Sequence, residues 1–157
     1  MLNISVIGGS EIPSETCEVA IEVGRLLARA GATVFCGGLT GVMECVAKGV
    51  REEDGLVIGI LPGNRPEDGN EYLSAALPTG LGFARNFLVA RAGKVVIAID
   101  GSTGTISEAS FALAEGKNVV AIGGMELTPK KKSEGKYIRV KTPREAVDTA
   151  VKLAKEI

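Results

Sequence analysis

Lys94-Val95-Val96-Ile97-Ala98-Ile99-Asp100-Gly101-Ser102-Thr103-Gly104-Thr105 reads as a buried strand that stops at a glycine-rich turn before a helical segment. An unbroken Val/Ile run suits a parallel strand covered on both faces. Outward from it, short Val/Ile-rich runs that end at Gly or Pro alternate with longer segments of helical period, the pattern of repeated βα units. Leu2 to Ile7, Thr33 to Cys36, Leu56 to Leu61, Lys94 to Ile99 and Val119 to Ile122 read as strands, with Tyr137 to Val140 a shorter sixth. Helices are expected over Ser14 to Arg29, Thr40 to Glu52, Phe83 to Ala92, Thr105 to Ala114 and Pro143 to Ile157. Gly31 is placed to end the first of these, and Thr142 with Pro143 to start the last. Pro62 to Gly82, dense in Gly, Pro, Asn and Asp, reads as one long irregular stretch of the kind that is usually functional. The expected fold class is α/β: a Rossmann-like three-layer sandwich with a mainly parallel sheet and helices on both faces.

Composition agrees with this and narrows the chemistry. The 157 residues are 45% hydrophobic and only 4% aromatic, so the core must be aliphatic, and the length suits one domain, residues 1–157. With 18 basic and 19 acidic residues the net charge is -1, which supplies no long-range field for a nucleic acid or an anionic membrane; neither is an expected partner. Lys130-Lys131-Lys132 reads as a solvated loop. There is no His, which removes Ser-His and Cys-His catalytic pairs and His-ligated zinc; no metal site is expected. Cys17, Cys36 and Cys45 are odd in number and lack C-x-x-C spacing, so reduced thiols are expected, and with no signal-peptide pattern at Met1 to Gly8 a cytoplasmic location.

Three strand-to-helix junctions carry glycines: Gly8-Gly9-Ser10, Gly37-Gly38-Leu39-Thr40-Gly41, and Gly101-Ser102-Thr103-Gly104-Thr105. In an open parallel sheet, ligands sit at such junctions beyond the carboxyl ends of the strands. The dinucleotide fingerprint fails: the first turn lacks its third glycine, Cys36 takes the first glycine's place in the second, and no acidic residue closes the third strand. The phosphate-loop ending G-K-[ST] is also missing, which disfavours both a nicotinamide cofactor and ordinary ATP hydrolysis. Gly101 to Thr105 is the strongest candidate, because glycines allow close backbone approach and the following helix offers unpaired N–H groups to an anion. Arg85, near the start of the preceding helix, can pair with phosphate in bidentate fashion, and Glu108 falls one turn into the following helix. The residues read as a single nucleotide- or phosphate-binding domain whose partner is a phosphorylated small molecule.

Val6-Ile7-Gly8-Gly9-Ser10, Cys36-Gly37-Gly38-Leu39-Thr40-Gly41-Val42-Met43-Glu44, Gly59-Ile60-Leu61-Pro62-Gly63 and Pro78-Thr79-Gly80-Leu81-Gly82 with Ala84-Arg85-Asn86 form ordered blocks across nearly the whole chain. Together they resemble the Lonely Guy (LOG)/lysine-decarboxylase-like superfamily, most of all its molybdenum-cofactor carrier protein-like branch. The hydrolase signature of that superfamily, P-G-G-x-G-T-x-x-E after an Arg-Lys pair, stands here as Asp100-Gly101-Ser102-Thr103-Gly104-Thr105-Ile106-Ser107-Glu108 after Arg85-Asn86. The resemblance implies Arg85 and Glu108 as catalytic residues. It implies Gly8, Gly9, Ser10, Gly37, Gly38, Arg85, Asn86, Gly101, Ser102, Thr103, Gly104 and Thr105 as ligand-binding residues. Asp100 replaces a proline, Ser102 a glycine and Asn86 a lysine; the first adds a negative charge and the last removes a cation, so phosphate binding by charge is expected to weaken.

Three readings follow. The first is a carrier or binding protein for a pterin-cofactor-like or nucleotide-like phosphorylated molecule, with molybdenum cofactor or a nucleoside monophosphate as bound ligand and no required cofactor. The second is a phosphoribohydrolase that cleaves the N-glycosidic bond of nucleoside 5′-monophosphates, with Glu108 orienting water and stabilising an oxocarbenium-like sugar. The third is a scaffold with a vestigial site. In each, a homodimer or higher homo-oligomer is expected.

Overall fold

The computed structural model describes every residue from Met1 to Ile157. Its strands are β1 (Asn3–Gly8), β2 (Thr33–Cys36), β3 (Leu56–Leu61), β4 (Ala75–Pro78), β5 (Val95–Ile99), β6 (Val119–Ile122) and β7 (Tyr137–Val140). Its helices are α1 (Ser14–Arg29), α2 (Val42–Glu52), α3 (Arg85–Ala92), α4 (Thr103–Ala114) and α5 (Pro143–Lys155). All seven strands are parallel, in the order β4-β3-β2-β1-β5-β6-β7. Because β1 leads to β2 on one side and pairs with β5 on the other, the order reverses at β1, and the strand ends there splay into a crevice.

The core has two layers divided by the sheet. On one face α1, α2 and α5 pack Val23, Leu27, Val46, Val50 and Val147 against Ile4, Val6, Val34 and Ile97. On the other α3 and α4 pack Val89, Ala109, Ala112 and Leu113 against Val96, Ala98 and Val119. Every residue of β5 is buried, as its unbroken aliphatic run requires. At the start of α5 the Thr142 hydroxyl accepts from the Glu145 N–H, with Pro143 in the first helical position, as expected.

Three helix starts differ from expectation. Gly41 stands at φ +69, which delays α2 from Thr40 to Val42 and frees the Thr40 hydroxyl to donate to Ser10 O at 3.1 Å. Gly82 to Ala84 form a 3₁₀ turn, so α3 starts at Arg85 and Phe83 stands outside it. Helix α4 starts at Thr103, which makes Thr103, Gly104 and Thr105 its first turn rather than part of the loop.

Pro62 to Gly82 is not irregular throughout. It holds a 3₁₀ turn at Pro66–Asp68 and the edge strand β4, which pairs from Ile58↔Ala75 to Leu61↔Pro78. Two alanines and a terminal proline carry no β-branched signal, and proline is admitted because it ends an edge strand.

The expectation of reduced thiols is also corrected. Cys17 of α1 and Cys45 of α2 form a disulfide with Cα atoms 5.5 Å apart, while Cys36 is buried and free. Residue count and spacing are blind to a pair 28 positions apart that helix packing brings together. The packing is close because Gly24 and Gly49 face the partner backbones: a Cβ on Gly24 would strike Val46 O, and one on Gly49 would strike Ile21 O. A cross-link of this span stabilises by about 3–4 kcal/mol in the chain-entropy account. Reduction, or a Cys17→Ser and Cys45→Ser double change, is therefore expected to lower unfolding free energy by roughly 2–4 kcal/mol in urea titrations. Superimposable unfolding curves with and without reductant would show that the bond does not form.

Candidate functional site

The crevice at the β1/β5 switch point is a cleft of about 320 Å³. Its floor is the ends of β1 and β2: Val6, Ile7, Gly8, Gly9, Ser10 and Gly37. One wall is the start of α3, with Arg85 and Asn86; the other is the first turns of α4, with Ser102, Gly104, Thr105 and Glu108. Backbone bonds lock the loops together, since Val42 N donates to Gly9 O at 3.0 Å.

Arg85 is buried, 7% exposed, and its orientation is set almost wholly by carbonyls at the strand ends. Its Nε donates to Ile60 O at 2.8 Å, Nη2 donates to Gly37 O at 3.2 Å, and Nη1 donates to Asn86 Oδ1. A second Nη2 contact reaches the Met43 Sδ at 3.9 Å. Of the five N–H donors of a guanidinium, this leaves one on Nη1 uncommitted. The bidentate fork expected for a phosphate is thus spent on the protein, and Arg85 offers the cleft a fixed positive charge. Burial lowers its pKa, opposed by the attraction of Glu108. Gly37 has to be glycine for this placement, because a Cβ would come 2.8 Å from Arg85 Nη2.

Glu108 is partly buried on the α4 wall and makes no hydrogen bond to the protein. Burial pushes its carboxyl up to about 7, against the downward pull of Arg85. Near neutral pH the group is divided between acid and carboxylate, a state suited to proton transfer or to donating a hydrogen bond.

The N-terminus of α4 is open. Ser102 is the N-cap residue, yet its side chain makes no capping bond, so the first-turn N–H groups and their partial positive charge face the cleft without a protein partner. Gly104 has nothing within 4 Å of where a Cβ would lie. Thr105 is buried at 5% exposure and would collide with any Cβ on Gly101, which stands at φ +109.

Not every expected residue gathers here. Gly38 is a buried turn residue at φ +77 whose Cβ would strike Leu61, and it does not line the cleft. Thr103 faces solvent, and Gly101 borders a separate recess together with Asp100. Asp100 is thereby turned away from the Arg85 cleft, its Oδ2 lying 3.5 Å from the Thr16 hydroxyl. Leu39, Met43 and Phe83 line the cleft without having been expected. Phe83 is 91% exposed at the rim, and the signal for it was its place two residues ahead of Arg85 on a turn that opens at Gly82. No cluster of three or more metal-ligating side chains forms, and no helix is long and apolar enough to cross a membrane.

Comparison with known proteins places this geometry. The SLOG cluster4 family matches residues 1–147. The chain belongs to that family. A relative from Archaeoglobus fulgidus is 38% identical over 96% of this chain and 95% of its own. Among solved structures, TM1055 superposes with a TM-score of 0.89 at 36% identity over the full length of both chains. The molybdenum cofactor binding protein of Rippkaea orientalis follows with TM-score 0.85 and 28% identity over 94% of each chain. The molybdenum cofactor carrier protein of Chlamydomonas reinhardtii gives TM-score 0.85 and 26% identity over 98% of each. SLOG cluster4 membership and these neighbours bear out the LOG-superfamily resemblance near the carrier branch.

Glu108 generates a pH prediction. Below about pH 7 the neutral acid does not oppose an anion beside Arg85; above it the carboxylate does. Relative to Glu108→Gln, the wild type is expected to lose several-fold in affinity for inorganic phosphate between pH 6 and pH 8.5. Calorimetric titrations of both proteins with parallel pH profiles would refute the assignment.

Proposed function

We propose that the cleft holds a phosphorylated pterin-like cofactor of the molybdenum-cofactor type and that the protein acts as its carrier or binding protein. The observation that carries this reading is Gly104. It sits in the first turn of α4 with ordinary helical φ and open space at its Cβ, so neither strain nor packing requires glycine there. Glycine within a helix costs about 1 kcal/mol relative to alanine. What its bare Cα provides is room for a ligand to approach the open N–H groups of α4.

The residues fit such a group. The phosphate would lie at the α4 N-terminus within the field of Arg85. The exposed ring of Phe83 adds an apolar face at the rim beside Arg85. The cleft's 320 Å³ lies within the range of small-molecule sites. The cleft brings together no cluster of metal-ligating side chains, and Cys36 is buried away from it, so the ligand would be held through its organic part. When bound, the group brings its own metal and redox chemistry, which a carrier shields rather than uses. Support comes also from the Rippkaea and Chlamydomonas neighbours, one a molybdenum cofactor binding protein and one a molybdenum cofactor carrier protein.

A second reading is favoured by one observation, the carboxyl of Glu108 at about 7 beside Arg85. That is the protonation balance a hydrolase of nucleoside 5′-monophosphates needs to guide water onto the N-glycosidic carbon, releasing base and ribose 5-phosphate. Release of free base from a panel of nucleoside monophosphates, abolished in Glu108→Gln, would decide for hydrolysis.

The carrier reading is tested by Gly104→Ala. The variant is expected to unfold with equal or up to about 1 kcal/mol greater stability, while its affinity for a phosphorylated pterin falls at least tenfold. Undiminished binding in a stably folded variant would remove the proposal's basis.

A further inference from the structure

A second recess adjoins the cleft behind Ser102. It measures about 390 Å³ and lies between Gly9 to Pro13 on one side and Asp100 to Ser102 on the other. The two spaces share Gly9, Ser10 and Ser102 but differ in charge. The cleft carries Arg85 and the α4 N-terminus, whereas the recess is lined by Asp100 and Glu11 with no basic side chain; Asp100 also borders the adjoining hollow that holds Thr16.

Gly9 stands at the passage between them. A Cβ there would meet Ile12 Cγ2 at 3.4 Å and Gly101 Cα at 4.0 Å, both ordinary contacts, and its backbone is not left-handed. The fold therefore tolerates a side chain at this position, and a side chain is what would obstruct the gap between the two loops. Asp100 stands at φ +49, where glycine would be easiest and Asp and Asn are the best tolerated alternatives. What aspartate adds over glycine is an exposed carboxylate, whose only hydrogen bond is from Thr16 to Oδ2 at 3.5 Å. Its Oδ1 has no partner among the protein's hydrogen bonds.

We infer that this recess is the specificity end of the cleft, with Asp100 accepting the paired N–H donors of a 2-amino-4-oxopyrimidine edge. That edge is common to pterins and guanine. The inference rests on the phosphorylated-heterocycle reading of the cleft and extends it to the other end of the ligand. The two spaces together are bipolar: an anion is drawn to Arg85 and α4, and a donor-bearing ring edge to Asp100. An adenine ring turns a lone-pair nitrogen toward the same carboxylate and is rejected by repulsion and an unpaired acceptor. Asp100 touches no reacting atom on this account and selects the ring.

The test is calorimetric titration of the full chain and of Asp100→Asn. The probes are 6-hydroxymethylpterin phosphate, guanosine 5′-monophosphate, adenosine 5′-monophosphate and inorganic phosphate. Asparagine keeps the left-handed backbone and removes the charge. The wild type is expected to bind the pterin or the guanine compound at least tenfold more tightly than the adenine compound; whichever of the two binds tighter names the source of the edge. In Asp100→Asn that preference is expected to fall at least tenfold, while inorganic phosphate binds equally or more tightly because a negative charge is gone. A uniform loss across all four probes, or pterin-phosphate binding without preference over the adenine compound, overturns the assignment of Asp100 and leaves the cleft reading standing. Failure of every phosphorylated compound to bind overturns both.

Discussion

The site is organised by a buried guanidinium. Taking Arg85 out of water carries a desolvation cost that only good hydrogen bonds can offset, and the fold supplies them from the carboxyl ends of strands rather than from a carboxylate. Ile60 O of β3 and Gly37 O beyond β2 both accept from Arg85. The residue leads α3 on one face of the sheet and bonds across the ends of strands that α2 covers on the other. Its place fixes how near α3 can lie to β2 and β3. A cation held by neutral dipoles is offset only in part, by Glu108 when that carboxyl is ionised, and the residual charge at the end of a sheet is what a ligand anion would complete.

Glycines around this cation divide by physical cause. Gly37 and Gly8 are imposed by the fold: a Cβ on the first would press on Arg85, and one on the second would come 2.6 Å from Ile99 O. Gly41 and Gly101 are imposed by left-handed backbone. Gly9 and Gly104 have neither reason, and both border the open space. A glycine without steric or conformational cause at a concave surface costs stability relative to alanine, which makes function the simplest account of its presence.

Much of this was legible in the sequence because it rests on local signals. The aliphatic run Val95 to Ile99 and the Thr142-Pro143 start of α5 announce a buried parallel strand and a capped helix, and both stand as read. The junction residues Gly8, Gly9, Ser10, Gly37, Ser102, Gly104 and Thr105 meet Arg85, Asn86 and Glu108 in one cleft, since the switch-point rule converts chain order into spatial proximity. What could not be read depends on contacts distant in sequence. Strand β4 exists by pairing with β3, and Cys17 meets Cys45 only through the close approach of Gly24 and Gly49. The same holds for Gly38 and Thr103: their spacing is that of ligand loops, but the direction each faces is set by the turn at φ +77 and by the early start of α4.

The departures from the hydrolase signature act in a common direction. A lysine at position 86 would place a second cation beside Arg85 and could not accept a hydrogen bond; Asn86 accepts from Nη1 and ties down another guanidinium donor. Ser102 adds a hydroxyl at the mouth of α4 without closing its N–H groups, since it makes no capping bond. Asp100 does not line the Arg85 cleft: it borders the neighbouring recess, and its carboxylate lies beside the Thr16 hydroxyl. The positive field is thereby reduced but not cancelled, and the accessible surface is extended beyond what a sugar phosphate alone needs. Catalysis by this kind of site relies on field strength focused where charge develops, whereas holding a large ligand relies on area and on donors and acceptors spread along it. On the proposed carrier reading, the three departures exchange the first property for the second.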